Sequence, residues 1–360
     1  MQLTKQKKPS AVVGLDIEAG SIAAAEVVAN GSVQVRAAVI EPLAAGAFRE
    51  GEVGDAAALA EALKAAFAKH GLSKQVRLGV GNQRVVVRTV RLPAIENPKE
   101  MDAAVRFQVQ EQMPMALEEA VIEHQVVGGV PAQEGRPPQV DVVVVAARRD
   151  MVASLLEPIR RAGLRPLGLD LSAFGMLRAL AGETAEMAGE SAELPGGEAV
   201  LYCNVGDVAN LAVARGRACL FTRVSNAGLE AIAARLASGQ DLTLEHASGW
   251  LTHVGLERPI EDIEGDPELV GQARRALEEG VTTLVDELRL SLDYYGAQEG
   301  AVPVTRVVLC GPGSAIPGLP QRMESSFGLS IASVRPSALA GYDELSAARL
   351  TLPYGLALEQ

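Results

Sequence analysis

Apolar positions alternate with polar ones, or run unbroken, over residues 11–17, 22–29 and 32–39. That period predicts three strands of an antiparallel meander. Asn30-Gly31 supplies a two-residue hairpin turn between the last pair. The pattern then changes to an alanine-rich helix over 56–70, ended by Gly71 as a C-cap. A strand at 76–80 completes a mixed α/β lobe. Residues 84–91 alternate again until Pro93. Pro98 opens a helix that runs to about 112, where Met113-Pro114 stops it. Strands at 121–127 and 140–147 and a helix at 151–162 follow, so 84–163 reads as an inserted subdomain.

A strand at 164–169 and a helix at 171–180 return to the first lobe. Segment 182–198 is small, acidic and glycine-rich, the composition of a linker. The meander then recurs at 200–204, 209–214 and 218–224, with helices at 229–236, 244–254 and 267–292. A strand at 304–310, a helix at 319–327 and a strand at 329–334 close the pattern. Two copies of one arrangement, half a chain apart, predict an α/β fold of two duplicated lobes. Their facing hairpins would line a cleft, where ligands commonly sit.

The turns carry the candidate chemistry. The first copy reads Gly14, Asp16, Ala19, Gly20, Ser21, and the second Asn204, Gly206, Asp207, Asn210. A carboxylate beside the backbone N–H groups of a small-residue turn suits a Mg-bound phosphate, with Asp16 as the metal-side residue. A third piece, Gly311, Gly313 and Ser314, leads from a buried strand to a helix start, and Gly228 opens an earlier helix. Glycine lets backbone approach a flat ligand, and a helix start favours an anion.

Composition narrows the alternatives. Of 360 residues, 48% are hydrophobic and 3% aromatic, so the core is Ala, Val and Leu, and base stacking is not available. The net charge of −12 repels phosphate backbones and argues against a nucleic-acid partner. Cys203, Cys219 and Cys310 lie far apart, outside zinc or disulfide spacing, which fits a reducing cytoplasmic compartment. No apolar run is long enough to span a membrane, and the polar, basic start has no signal-peptide pattern. His70, His124, His246 and His253 form no ligand pair.

In this order of motifs the chain resembles the actin-like ATPases. More closely it is similar to the PilM family of type IV pilus assembly proteins, related to the division protein FtsA. Val90-Arg91-Leu92-Pro93 with the helix at 101–113, residues 167–179 with Asp170, Glu287 to Tyr295, and Tyr354-Gly355-Leu356-Ala357-Leu358 carry the likeness over 12–358. The resemblance implies an actin-like (ribonuclease H-like) fold. Its first lobe would hold 10–83, 164–181 and 345–360, and its insertion 84–163. Its second lobe would hold 199–238 and 302–344, with a helical subdomain at 239–301. It implies a cytoplasmic adaptor that binds the N-terminal peptide of a PilN-type inner-membrane protein in a groove beside the insertion. That partner would recruit the chain to the membrane's inner face. ATP and Mg are the implied cofactors. Other pilus assembly proteins and a second copy of the chain are further implied partners.

Two departures bear on chemistry. Glu18-Ala19-Gly20-Ser21 puts a carboxylate where the family's first phosphate turn is small and neutral, and Asn204 stands where an acid is expected. Like charges repel, and an amide is a poor base and metal ligand. Weak or absent ATP turnover is therefore expected. The alternatives are a sugar-kinase-like enzyme, which needs a poised acid, and an FtsA-like filament, expected to end in a basic amphipathic helix rather than Leu358-Glu359-Gln360.

Overall fold

A computed structural model describes residues 11–29, 32–130, 138–187, 198–298 and 300–358. Strands β1 (Val12–Glu18), β2 (Ser21–Ala29) and β3 (Val33–Pro42) form the expected antiparallel meander. A small tongue follows, β4 (Phe48–Arg49) and β5 (Glu52–Val53), turned by Glu50 and Gly51 at φ 50° and 78°. Positive φ at both turn residues is the hairpin geometry that matches strand twist. Helix α1 (Ala56–His70) starts where the Asp55 carboxylate accepts from the Ala57 and Ala58 amides, and ends at left-handed Gly71. Strand β6 (Gln75–Val80) then pairs parallel with β1.

The insertion holds β7 (Val86–Pro93), α2 (Pro98–Val109), β8 (Ala120–Val130) and β9 (Gln139–Arg148) in a three-stranded sheet ordered β7-β9-β8. Met101, Val105 and Val109 of α2 bury against Val90, Ile122, Val142 and Val144 on one face. Helix α2 ends at Val109 and the next three residues form a 3-10 turn, earlier than the expected 112. Helix α3 (Arg149–Arg161) follows β9 directly. Its Met151, Leu155 and Ile159 lie in one core with Val13, Leu15, Leu63 and Leu78, so it packs on the first lobe. Periodicity located this helix, but only its burial pattern in three dimensions says which sheet it covers.

Strand β10 (Arg165–Leu171) pairs parallel with β6 and completes the sheet β3-β2-β1-β6-β10. Helix α4 (Ser172–Met187) runs through the first part of the expected linker 182–198; residues 188–197 lie outside the described residues, as does the Asn30-Gly31 turn. The second lobe repeats the plan with β11 (Ala199–Val205), β12 (Ala209–Arg215) and β13 (Ala218–Ser225). Helices α5 (Leu229–Gln240), α6 (Leu244–Val254) and α7 (Pro267–Gly296) cover its outer face. Then come β14 (Val304–Cys310), α8 (Leu319–Phe327) and β15 (Ser330–Ser333), giving the order β13-β12-β11-β14-β15. Both five-stranded sheets therefore place the meander on one side of the first strand and two parallel strands on the other.

The closing helix α9 (Glu344–Ala357) and α4 lie between the lobes. Met176, Leu177 and Leu180 of α4 and Leu352 of α9 share a buried cluster with Val200, Tyr202, Ala212 and Val308 of the second sheet. This apolar layer makes the two lobes one packed unit and sets the floor of the cleft.

Candidate functional site

The period of two along β1 puts Asp16 and Glu18 on one face of the strand, at the turn that meets the second lobe. The β11–β12 turn, Gly206-Asp207, stands opposite. The turns bind each other directly. The Ala19 amide donates to Asp207 Oδ2 at 2.5 Å, and the Asp207 amide donates to Glu18 Oε1 at 3.1 Å. A side chain on Gly206 would displace the Glu18 carboxylate from this position, because its Cβ would lie 2.3 Å from Glu18 Oε1. Arg349, projecting from α9, pairs with Glu18 and donates to the Ser21 hydroxyl. A third tie sits at the tongue: the Glu50 amide donates to Glu230 Oε2 at 3.1 Å, and Arg49 lies 3.4 Å from Glu230 Oε1.

Packing acids this tightly shifts their titration. Burial, and then the Glu18 charge, raise Asp16 to about 7, against the opposing pull of Arg349. Asp207 is pushed well up by burial and by Glu18, although the Ala19 amide and Arg349 act the other way. Burial works against charge on Arg349, but Glu18, Asp207 and Asp16 outweigh it and hold the guanidinium's pKa above its ordinary value. Burial also raises Glu230, with the Glu50 amide and Arg49 opposing.

The sequence-predicted residues divide accordingly. Asp16, Ala19, Asn204, Asp207 and Asn210 line one narrow cavity, and Gly206 and Ser21 border it. Gly14 lies elsewhere: its Cβ position is 1.9 Å from the Pro353 carbonyl oxygen, so it serves the packing of α9. Gly20 is exposed, with nothing near its Cβ position. Gly228 opens α5 against the Gly206-Asp207 backbone. Gly311 (φ 77°) and Gly313 fold onto Asn204 and Val205, and Ser314 donates back to the Gly311 carbonyl at 2.7 Å. Arg349, Glu230 and Glu50 were missed. Arg349 left one signal, a lone cation inside the apolar stretch 347–352.

ATP with Mg was the implied cofactor, and these residues do not fit it in this arrangement. The turn amides that would hold phosphate already hold carboxylates. The remaining cavity is about 30 Å3, room for a water or two where ligand pockets run to ~300–1,000 Å3. Asn210 Oδ1, buried in its wall, has no partner among the described residues. Among the described residues no group of three or more His, Cys, Asp and Glu is arranged to hold a metal ion.

A second concavity is much larger, about 710 Å3. Its walls are β8 and β9 of the insertion, α3, and β10 with the start of α4. Val121, Val145, Leu156 and Leu169 make it largely apolar, with Glu123 and Arg160 among its polar groups. Asp170 also lines it and is paired with Arg178 of α4, whose Nε donates to the Gly355 carbonyl of α9 at 2.9 Å. Strands β8 and β10 are the outer strands of their sheets. Sequence periodicity could not find this groove, because its two sides are separate elements brought together by packing.

Two lobes of one duplicated α/β plan, with an interlobe cleft, define the actin-like fold. The EutJ protein of Carboxydothermus hydrogenoformans shares it at a TM-score of 0.53 and 13% identity, covering 98% of this chain and 90% of that one. MreB5 of Spiroplasma citri bound to ADP shares it at 0.51 and 12%, covering 96% and 94%. The family profile described as type IV pilus assembly protein PilM matches residues 14–352, and the chain belongs to that family. A solved PilM–PilN type IV pilus biogenesis complex is similar at a TM-score of 0.79 and 26% identity, covering 97% of this chain and 98% of that chain.

Proposed function

We propose that this chain is an actin-like adaptor of the type IV pilus assembly machinery. It holds the extended N-terminal peptide of a PilN-type inner-membrane protein in the groove between β8, β9, α3 and β10. The observation that carries this reading is the groove itself: about 710 Å3, largely apolar, and walled by two outer strands. An outer strand offers backbone donors and acceptors for an added strand, while pockets select its side chains. Val145, Leu156 and Leu169 suit apolar anchors, and Glu123 suits a basic residue at the rim. The similar PilM–PilN complex supports the choice of partner.

Among the described residues no helix is long and apolar enough to cross a membrane. In this reading the partner's own membrane segment brings the adaptor to the inner face of the membrane. The division into two lobes, an inserted subdomain and a helical subdomain belongs to the same proposal, with α3 counted in the first lobe. Neither ATP nor Mg is needed for it. Adaptor work requires a shaped groove, and the cleft acids Asp207 and Glu18 are bonded to backbone amides.

The test is binding of a fluorescent PilN N-terminal peptide to the full chain, followed by polarisation. Val145→Glu places a charge on the half-buried wall of the groove. It is expected to weaken binding at least about 30-fold, the ~2 kcal/mol cost of burying an unpaired charge, while circular dichroism stays unchanged. Undiminished binding by a folded variant would overturn the reading.

A further inference from the structure

We infer that the interlobe cleft of this chain is latched shut by its own carboxylates, which take the seats of nucleotide phosphates, so the closed form needs no nucleotide. The observation is a pattern of three bonds. Ala19 of the first lobe donates to Asp207 of the second; Asp207 donates to Glu18 of the first; Glu50 of the first donates to Glu230 of the second. In every case a turn amide facing the cleft meets an acid from the opposite lobe. Turn amides of this kind form concave anion sites. A carboxylate delivered by the facing lobe satisfies them as a phosphate oxygen would.

Three further facts belong to the same device. Arg349 reaches Glu18 from α9 and lies close enough to Asp16 and Asp207 to favour its own charge, so a built-in cation stands among the acids. Gly206 leaves the space that the Glu18 carboxylate fills, with 2.3 Å between its Cβ position and Glu18 Oε1. Glu50 holds a left-handed backbone at φ 50°, a conformation non-glycine residues seldom adopt, and its amide is the one Glu230 takes up. Nucleotide entry would have to break these bonds together and place phosphates beside the Glu18 carboxylate. The repulsion of like charges at such range opposes it. The latch does not involve the peptide groove, so it stands or falls separately from the adaptor reading.

Two measurements on the nucleotide-free full chain test it. Calorimetric titration with Mg-ATP and with Mg-ADP is expected to give no saturable heat up to about 1 mM, the weak end of useful affinity. Hydrogen exchange is expected to find the Ala19, Asp207 and Glu50 amides protected without nucleotide. Saturable binding of either nucleotide in the micromolar range, or free exchange at the Ala19 and Asp207 amides, would overturn the inference. Glu18→Ser removes the carboxylate and restores a small neutral turn. It is expected to speed exchange at the Asp207 amide by about tenfold or more, as loss of a charged acceptor predicts. Unchanged exchange at Asp207 in that variant would also count against the latch. The two wild-type measurements decide the question even where the variant fails to fold.

Discussion

Asp16 illustrates how one side chain changes meaning with its surroundings. In the linear chain it is an acid ahead of a small-residue turn, suited to a metal. In the fold it faces Glu18, Arg349 and Asp207, and burial with the Glu18 charge raises it to about 7. An acid whose pKa is higher folded than unfolded binds extra protons in the native state. Its contribution to stability is complete below about pH 4 and is lost as pH rises through about 7. Asp16→Asn removes this loss. Urea unfolding should therefore show the variant gaining on the wild type between about pH 5 and about pH 8, by on the order of 2 kcal/mol. A difference that stays flat over that range would refute the assignment. Asp207, also raised, titrates in the same direction in both proteins and does not cancel the comparison. The three cysteines are simpler: burial pushes Cys203, Cys219 and Cys310 upward, and the thiols behave as packing groups.

At the scale of elements, helix α9 has the most to explain. Proline at 353 stands inside it, and side chains from neighbouring elements bond the carbonyls at its end. Arg77 donates to the Leu356 and Leu358 carbonyls at 2.9 and 2.7 Å, and Arg178 donates to Gly355. Helix ends left without such partners are costly when buried. The helix also lies against β1 at backbone contact, which only glycine at position 14 permits. Gly14→Ala is expected to lose about 3 kcal/mol of unfolding free energy in urea, as overpacking against rigid backbone does. A loss below about 0.5 kcal/mol would mean that α9 moves aside freely. Elements of this kind were partly legible. Helix α1 was readable to the residue, because Gly71 and the alanine run mark it. The start of α9 and the tongue β4–β5 left weak local signals, since two-residue strands and a helix with an internal proline do not carry a period.

For the whole molecule, the shared apolar layer governs behaviour. Helices α4 and α9 bury their faces against the second sheet while α9 also packs on β1 and β2. The lobes therefore have no independent closing surface, and calorimetry should record one unfolding transition for the full chain. Two well-separated transitions would contradict a common core. The same packing keeps the cleft and the groove apart: Val80 lies in the wall of both. One molecule thus presents a small polar cleft tied across by carboxylates and a large apolar groove left open.

What the sequence alone determined was whatever repeats or marks itself locally. The two meanders, the strand that follows each, the helix caps and the family likeness are all carried by neighbouring residues. Hydrophobic period and turn chemistry act over a few positions, so they survive in the linear chain. Tertiary structure decided which side chains meet. Glu18 was readable as an acid that repels phosphate; that it would bind the Asp207 amide and Arg349 required both lobes in place. Likewise α3 was readable as a helix, and only tertiary packing put its buried face in one core with Leu63 and Leu78. Contacts between residues far apart in the chain depend on packing that no local period records, and in this chain those contacts close the cleft and open the groove.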